Sequence, residues 1–359
     1  MKMVGILILL AMISLYGCSS NAEEASISDV AKIKEEKAGE KSLDEMKSAL
    51  LSNGMLIPLG DIPIPDDNPM NKEVVDLGQK LFFDPRLSGN NEISCATCHD
   101  PEKGYGDGLA TFITVDGGNG ARNSPTIINS GYYSTNFWDG RSDSLEEQAL
   151  GPIENPEEMN QPLGELVEEL KAIKGYEELF SSAFPEGITA QNIAKALAAF
   201  QRLIVVKDTP YDQFLNGDTN AITATELRGL DIFAGKGFCS TCHNGENLSD
   251  NNYYNIGIVT EDVGRFAVTG DEADIGRIRT PSLYGITYTA PYMKDGSLAS
   301  LEEVIDYYNR GGDGHPNTSF FMKQFMSPLG LTDNEKADLL AFLNVLGGDP
   351  PIYSKPELP

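Results

Sequence analysis

Two copies of the pattern Cys-x-x-Cys-His constrain this chain more than any other feature of its sequence. They are Cys95-Ala-Thr-Cys98-His99 and Cys239-Ser-Thr-Cys242-His243. In this pattern the two thiols add to the vinyl groups of a haem, and the adjacent histidine reaches the iron from the same side. A zinc site would use more cysteines in a closed tetrahedral set, and a thioredoxin-like pair would need a βαβ context. The sequence therefore predicts two covalently bound c-type haems.

Residues 1–18 have the pattern of an export signal. Lys2 supplies a positive charge, residues 4–16 form an apolar run too short to span a bilayer as a mature helix, and Leu15-Tyr-Gly-Cys18 ends it. This ending is typical of a bacterial lipoprotein whose Cys18 is acylated; an ordinary signal peptide with Cys18 near the cut is the alternative. We expect an exported, periplasmic protein that contacts a bacterial membrane only through this lipid.

The charge of the chain excludes some classes of partner. Acidic residues number 54 against 27 basic ones, which gives a formal net charge of −27. Such a surface disfavours binding to nucleic acid or to an anionic membrane, and it would attract a basic protein from a distance. The alternative is that the acidity serves solubility alone.

The organisation along the chain predicts a mostly α fold with long loops and little strand. Residues 19–55 are polar and predict a flexible tether, and the sequence becomes globular from Pro58. Apolar residues recur at helical spacing in three segments, and two further helices begin at a capping box. The segments are Glu73–Phe83, Leu163–Phe184 and Thr189–Val206, and the boxes are Thr223-Ala-Thr-Glu226 and Thr332-Asp-Asn-Glu335.

An internal repeat divides the globular part into two similar halves. Asn123-Ser-Pro125-Thr-Ile127 matches Arg279-Thr-Pro281-Ser-Leu283 at an offset of 156 residues, and the Asp-Gly and Leu-Glu-Glu segments that follow keep that offset. The two Cys-x-x-Cys-His patterns lie 144 residues apart. We therefore predict two cytochrome c-like haem domains, a first half over 56–212 and a second half over 213–359.

The sixth iron position separates an electron carrier from an enzyme, and the repeat predicts a difference between the halves. Tyr308 lies on the inner face of a helix begun by Ser300 and could ligate the second iron as a phenolate. Its counterpart in the first half is Pro152, which has no donor atom. The second iron is thus predicted to be closed, with a protein ligand on both faces, and the first iron to be open, with one face free. Tyr308 could instead be a core aromatic residue, with other side chains as competing ligands: Met293, Met322, Met326 and His315.

Three first-half side chains are candidates for chemistry near the open iron. Glu158 could move a proton between the oxygens of hydrogen peroxide, with Gln148 beside it. Both residues are also ordinary on a solvated helix surface. Trp138, the only tryptophan, could pass an electron between two cofactors or could simply pack in the core.

Several longer stretches make the chain resemble the bacterial di-haem cytochrome c peroxidase family, and in particular its MauG-type branch. The similarity covers roughly residues 60–350. Besides the haem-attachment patterns, it rests on Leu81-Phe-Phe-Asp-Pro-Arg-Leu-Ser88, Arg122-Asn-Ser-Pro-Thr126, Phe137-Trp-Asp-Gly-Arg141, Glu146-Glu-Gln148, Gly151-Pro152, Glu157-Glu-Met159, Thr289-Ala-Pro-Tyr-Met293 and Leu301-Glu-Glu-Val304.

The resemblance implies a role for each half. The haem on Cys95, Cys98 and His99 would react with peroxide, and the haem on Cys239, Cys242 and His243 would store or relay electrons. Trp138 matches the family tryptophan between the haems, and Gln148 and Glu158 match residues of the peroxide pocket. The resemblance also implies a calcium ion between the halves, bound by Asn123 and by the carbonyl oxygens of Thr289 and Pro291, since oxygen donors suit this cation.

The sequence departs from the common family pattern at three positions. Many relatives carry a histidine in the loop at Val115–Ala121 that blocks the first iron until the other haem is reduced, and this loop has none. The first iron should therefore be open at rest. Tyr308 replaces the usual methionine ligand, as in MauG-type enzymes, and phenolate favours ferric iron. Lys294 replaces a frequent histidine with no predicted effect.

The predicted function is that of a di-haem peroxidase. It would reduce hydrogen peroxide with electrons from a small cytochrome c or cupredoxin. A MauG-like enzyme that oxidises side chains of a protein substrate is one alternative, and a pure electron-transfer cytochrome with two six-coordinate irons is another. The sequence leaves a homodimer open.

Overall fold

Helices joined by long loops make up the fold. The computed structural model describes residues 41–314 and 316–359, so the signal segment, Cys18 and His315 lie outside the described residues. The helices, numbered in chain order, are α1 (Leu43–Leu51), α2 (Lys72–Phe82), α3 (Cys95–Cys98), α4 (Leu145–Glu154), α5 (Leu163–Lys171), α6 (Lys174–Ala183), α7 (Ala190–Gln201), α8 (Pro210–Leu215), α9 (Ala224–Ala234), α10 (Phe266–Thr269), α11 (Leu301–Arg310), α12 (Phe320–Phe325) and α13 (Asp333–Val345).

Strand structure is confined, within those residues, to one short antiparallel pair. It joins β1 (Tyr253–Tyr254) to β2 (Ile278–Arg279), with Tyr253 opposite Arg279. The prediction of a mostly α fold with little strand is confirmed. No helix of the described part is long and apolar enough to cross a membrane.

The same close helix crossing occurs in each half. In the first half α2 packs on α7, and in the second half α9 packs on α13. Gly78 allows the first crossing, because a Cβ atom there would lie 1.9 Å from the carbonyl oxygen of Ala196. Gly229 does the same in the second half, where a Cβ atom would lie 2.0 Å from the carbonyl oxygen of Asp338. Each half thus places one glycine where two helix backbones touch.

The loops before α4 and α11 repeat at the predicted offset. Bridge Asn136–Ser142 corresponds to bridge Tyr292–Leu298. Phe137 and Met293 both have positive φ angles, of 65° and 75°, although neither is a glycine. A serine then caps each helix, Ser144 in α4 and Ser300 in α11. The internal repeat is therefore a repeat of backbone conformation.

Three predicted segment boundaries were wrong. The tether cannot extend to residue 55, because α1 packs against α9 and buries Met46 and Leu50. The segment 163–184 is two helices, since Ile173 takes an extended conformation and caps α6. Helix α7 ends at Gln201, because the amide group of Asn129 then binds the backbone N–H and C=O of Val206 at 2.8 and 3.1 Å.

Both capping boxes are confirmed, at the starts of α9 and α13. Residues Leu43–Pro359 form one compact unit. The boundary near residue 212 stays a prediction.

Candidate active site

The first haem-attachment pattern forms a short helix that presents its histidine to a cavity. Cys95 and Cys98 lie at the two ends of α3, and His99 follows directly. The Nδ1 atom of His99 lies 3.1 Å from the carbonyl oxygen of Tyr105. A carbonyl oxygen only accepts, so Nδ1 carries the proton and Nε2 keeps its lone pair for a metal. Burial lowers the pKa of His99, which favours the neutral ring that a metal requires.

The second pattern gives its histidine the same tautomer, and one partner is equivalent in both halves, since the carbonyl group of Pro125, the repeat counterpart of Pro281, also interacts with His99. Nδ1 of His243 lies 3.2 Å from the carbonyl oxygen of Leu248 and 3.1 Å from that of Pro281. Burial lowers the pKa of His243 as well. Cys239 and Cys242 stand beside it in the wall of the same cavity. Both histidines are therefore prepared to bind iron through Nε2.

The first cavity has two adjoining lobes beside His99. Their empty volumes are about 680 and 850 Å³, including the parts that open to solvent. Both lobes are lined by Cys98, His99, Gln148, Pro152 and Glu158. The structure thus brings the predicted proton-handling residues to the cavity that holds the first histidine. Pro152 lines this cavity, where its ring offers no donor atom.

Glu158 lies on the turn that follows α4. Its Oε1 accepts a hydrogen bond of 2.8 Å from the amide nitrogen of Asn155, which caps the end of that helix. Burial in the cavity wall raises the pKa of Glu158, and this effect outweighs the attraction of Arg141. A carboxyl group with a raised pKa can hold and release a proton nearer to neutral pH than an exposed one.

The loop that precedes the Arg122 segment closes on itself beside the first cavity. Phe112 and Ile113 line the cavity, and none of the residues 115–121 does. The loop folds back through a hydrogen bond of 2.8 Å from the N–H of Gly120 to the carbonyl oxygen of Phe112. The N–H of Val115 donates to the carbonyl oxygen of Glu157 at 2.9 Å, which ties the loop to the turn that carries Glu158.

The second cavity is larger than either lobe of the first, with an empty volume of about 1060 Å³ including its open part. Its wall contains His243, Tyr308 and the three methionines that compete as ligands: Met293, Met322 and Met326. Tyr308 projects from α11 and remains partly accessible because it faces this cavity. Burial raises the pKa of Tyr308, so its phenol is neutral unless a metal displaces the proton.

Trp138 and Arg279 lie in the walls of both cavities. The indole Nε1 of Trp138 donates to the carbonyl oxygen of Asn123 at 2.9 Å, and its own carbonyl accepts from the N–H of Arg279 at 2.8 Å. Trp138 comes from the first half and Arg279 from the second. Each half therefore contributes a wall residue to the cavity of the other.

Arg279 is a buried charge that lacks an anion within residues 41–314 and 316–359. Its side chain is 6% exposed, its guanidinium lies 3.3 Å from the ring centre of Tyr133, and Nη1 donates to the carbonyl oxygen of Thr280. Its Nε has no hydrogen-bond partner. Buried charges in proteins are paired, so a carboxylate is missing from this wall. A haem carries two propionates, and the cavities therefore fit haem in charge as well as in size.

Relatives with known names share most of the chain. The chain is 42% identical to the methylamine utilization protein MauG of Methylorubrum extorquens over 303 residues, 83% of this chain and 85% of that protein. It is 37% identical to the cytochrome-c peroxidase IdrP1 of Pseudomonas sp. over 340 residues, 85% of this chain and 89% of the relative. Residues 72–220 match the family model for di-haem cytochrome c peroxidase. The chain belongs to the di-haem cytochrome c peroxidase family.

A solved structure agrees with this assignment. A MauG-like protein associated with microbial copper homeostasis superposes with a TM-score of 0.74 at 35% identity, covering 80% of this chain and 93% of that one. The predicted resemblance to this family and the fold of two cytochrome c-like domains are confirmed. Two c-type haems follow from membership of a di-haem family.

The residues predicted to bind calcium in this peroxidase lie on two segments that touch. The N–H of Asn123 donates to the carbonyl oxygen of Lys294 at 2.8 Å, three residues beyond Pro291. The amide nitrogen of Asn123 donates to the carbonyl oxygen of Leu109 at 2.8 Å, which leaves its amide oxygen for another partner. Pro291 follows a cis peptide bond from Ala290, and Thr289 is the residue before Ala290. No group of three acidic, histidine or cysteine side chains that could hold a metal occurs in the described part of the chain.

Two residues of the peroxidase site escaped sequence reasoning. The sequence marks Arg279 only as part of the repeat, since nothing in its neighbours indicates that it is buried. Lys294 is 3% exposed, and its ammonium group lies 3.1 Å from the carboxylate of Asp262, which also binds Arg122 at 2.8 Å. These two cations lower the pKa of Asp262, so it stays ionised. Lys294 thus belongs to a charge network beside Trp138 that is built from distant segments.

Proposed function

We propose that this protein reduces hydrogen peroxide to water at the haem held by His99, with electrons from a small cytochrome c or cupredoxin. The observation that carries the proposal is the position of Glu158, whose carboxyl group lines the same cavity as His99. Family membership supports the reaction, since relatives are named cytochrome-c peroxidases. The overall reaction consumes two electrons and two protons for each peroxide and forms two water molecules.

Two side chains of the first cavity, those of Glu158 and Gln148, would act on the peroxide in different ways. The haem iron, when bound, supplies the site for a peroxide oxygen and passes the two electrons. Because Oε1 of Glu158 accepts a hydrogen bond from Asn155, Oε2 is the carboxyl oxygen left for the substrate. We infer that Oε2 takes a proton from one peroxide oxygen and returns it to the oxygen that leaves as water. The amide group of Gln148, on the same wall, orients the peroxide.

We propose that the first iron is open in the resting enzyme. Neither Pro152 nor any residue of the loop 115–121 offers a nitrogen or sulfur donor to the cavity. The hydrogen bond from the N–H of Val115 to the carbonyl oxygen of Glu157 supports this proposal, because it fixes the loop in the conformation in which residues 115–121 do not line the cavity. Reduction of the second haem would then not be needed before peroxide can bind.

The second haem would be held by Cys239, Cys242 and His243, with Tyr308 as the further ligand we favour. Tyr308 lies in the cavity wall close to both cysteines, and the three competing methionines line the same cavity. Trp138, shared by the two cavities, would carry electrons between the haems. A tyrosine ligand also supports the MauG-like alternative, oxidation of side chains in a protein substrate, as a second candidate function.

Two further assignments belong to the proposal. The protein is exported to the periplasm and held at a membrane through acylated Cys18. One calcium ion binds between the halves, to Asn123 and to the carbonyl oxygens of Thr289 and Pro291. Oxygen donors from side chain and backbone are those that calcium prefers.

The test is peroxide turnover by the purified di-haem protein with a reduced cytochrome, for the wild type and for Glu158→Gln. The variant should lose roughly a hundred- to ten-thousandfold in kcat, the usual contribution of general acid–base catalysis. Glu157→Gln is the matched control, since Glu157 is the exposed neighbour of the same type and should keep full activity. Full activity of Glu158→Gln would contradict the catalytic assignment, and a ferric spectrum without high-spin haem would contradict an open iron.

The pH dependence has a definite sign. Glu158 must be ionised to take a proton, and burial raises its pKa above the ordinary value. The wild-type rate should therefore fall on acidification at a higher pH than an exposed glutamate would give, and this limb should be missing in Glu158→Gln. The rate would be measured from pH 4 to 8 at saturating donor.

A further inference from the structure

The last segment of the second half crosses over to the first half. After α13 ends at Val345, residues 347–359 run in irregular conformation, and we name them the strap. The amide nitrogen of Gln79 donates to the carbonyl oxygen of Ser354 at 3.0 Å, and Arg86 donates to that of Pro359 at 3.1 Å. The ring of Tyr353 packs edge-on against Phe200, with centroids 5.2 Å apart. All three contacts join the strap to the half that carries Glu158.

The innermost contact of the strap is with Tyr105. This side chain is fully buried, and its hydroxyl donates to the carbonyl oxygen of Pro351 at 2.7 Å. The same hydroxyl accepts a hydrogen bond of 3.4 Å from the N–H of Tyr353. Tyr105 has a φ angle of 58°, a conformation that a bulky aromatic residue adopts only when its surroundings impose it. The strap supplies part of those surroundings.

Tyr105 also holds the histidine of the first cavity. Its carbonyl oxygen accepts the hydrogen bond from Nδ1 of His99 at 3.1 Å. Tyr105 therefore accepts a hydrogen bond from His99 through its backbone and binds the strap through its side-chain hydroxyl, while the carbonyl group of Pro125 is a further backbone partner of His99. Within the described residues of the second half there is no such link, because the carbonyl groups that accept from His243 belong to Leu248 and Pro281, whose side chains cannot hydrogen-bond.

We propose that Tyr105 is a positioning residue through which the strap sets the orientation and basicity of His99 toward the first iron. This inference rests on the proposed function only in taking His99 as an iron ligand. The partner of the second ring nitrogen controls how strongly a histidine donates to a metal. When the strap holds Tyr105 in place, the carbonyl group of Tyr105 forms a stronger hydrogen bond with Nδ1 of His99, and His99 donates more strongly to the iron. The strap, which belongs to the second half, would in this way affect the haem of the first half.

The test replaces Tyr105 by Phe in the full di-haem protein. This change keeps the ring and the backbone carbonyl but removes the hydroxyl group that bonds to Pro351 and Tyr353 of the strap. His99 should then donate less strongly. The iron–histidine stretching frequency of the first haem in the ferrous state should fall. The ratio of ferrous to ferric first haem at a fixed applied potential should rise by about two- to tenfold, the worth of one hydrogen bond. The second haem should keep its ratio.

Tyr288→Phe is the matched control. The hydroxyl of Tyr288 also donates to a strap carbonyl, that of Gly348 at 3.0 Å, but this side chain is 45% exposed and its backbone does not receive His99. It should leave both haems unchanged. Equal shifts in the two variants would overturn the proposal, because they would reflect a general loosening of the strap.

A second variant guards against a local effect of the substitution. A chain shortened to end at Gly348 keeps the Tyr288 contact and loses Pro351 and Tyr353, and it should reproduce the change seen in Tyr105→Phe. A lower melting temperature with both haem signals unchanged in Tyr105→Phe would show a purely structural role and overturn the proposal. These signals are read without peroxide, so a failure of the peroxidase proposal would be seen separately, as a wild type that does not turn over.

Discussion

At the scale of single residues, the side chains easiest to identify from sequence were those in local patterns. The spacing of Cys95, Cys98 and His99 in the sequence is enough to predict that they bind a haem. Arg279 does not, because its meaning lies in being 6% exposed between two cavities without an anion. Burial is decided by segments far away in the chain, and a single sequence does not reveal it.

Replacing Arg279 by Gln should lower the reduction potential of both haems. Removing a positive charge from the shared wall stabilises ferric iron, and the buried position of Arg279 screens the change less than bulk solvent would. We expect a shift on the order of 60 mV, which is tenfold in a one-electron equilibrium. Spectroelectrochemical titration of the two haems measures it.

Arg277→Gln is the control for this substitution. Arg277 lies two residues away and is paired with Asp274 at 3.2 Å, so its loss should leave both potentials in place. A shift of one haem only in Arg279→Gln would mean that the guanidinium serves a single cofactor.

At the scale of elements, apolar spacing and capping boxes located most of the long helices, and the errors were a helix end, a break inside one segment and the helix α1. The break at Ile173 depends on an extended residue inside an apolar pattern that continues on both sides. Helix α1 was missed because its two buried residues, Met46 and Leu50, gain their significance only from the surface of α9. Tertiary contacts thus decided what local pattern left ambiguous.

Gly78→Ala should destabilise the protein, against the usual effect of this change in a helix. Alanine normally favours a helix over glycine by about 0.5–1 kcal/mol. At Gly78 the added methyl group would lie 1.9 Å from the carbonyl oxygen of Ala196, and α2 would have to move away from α7. We expect a net loss of about 1–3 kcal/mol in the free energy of unfolding, measured by denaturant titration.

Gly164→Ala is the matched control, since Gly164 lies in α5 with nothing within 4 Å of an added Cβ atom. It should be neutral or slightly stabilising. Gly229→Ala should behave like Gly78→Ala, because it occupies the same crossing in the second half. Equal stability of Gly78→Ala and Gly164→Ala would show that the close crossing is not needed.

At the scale of the whole molecule, the repeat correctly predicted two halves with the same loop and helix arrangement. It did not predict how the halves share residues. The strap has no counterpart in the repeat. The backbone contact between Arg279 and Trp138 does have one, since the N–H of Asn123 donates to the carbonyl oxygen of Lys294 at the same 2.8 Å, but the side chains at these positions differ between the copies. Comparing the two copies in the sequence shows where their residues differ, as at Tyr308 and Pro152. It does not show which residues of one copy contact the other copy.

The net charge of −27 leads to a prediction about the electron donor. A basic cytochrome should reduce the protein quickly at low salt, and its second-order rate constant should fall steeply between 10 and 200 mM salt as the field is screened. An acidic cytochrome of similar potential is the control and should gain from added salt. The rate constants would be measured by stopped flow. If neither donor shows a salt dependence, the negative charge of the protein serves solubility and does not steer the donor.

The exchange of Trp138 and Arg279 across the wall limits how far the two copies can be treated as modules. Cutting the chain between them would leave an arginine facing solvent on one fragment and an indole on the other, each beside a cavity with a missing side. Neither fragment could then present its cofactor with the surroundings that it has in the whole chain. A protein assembled from two like units has in this way become indivisible.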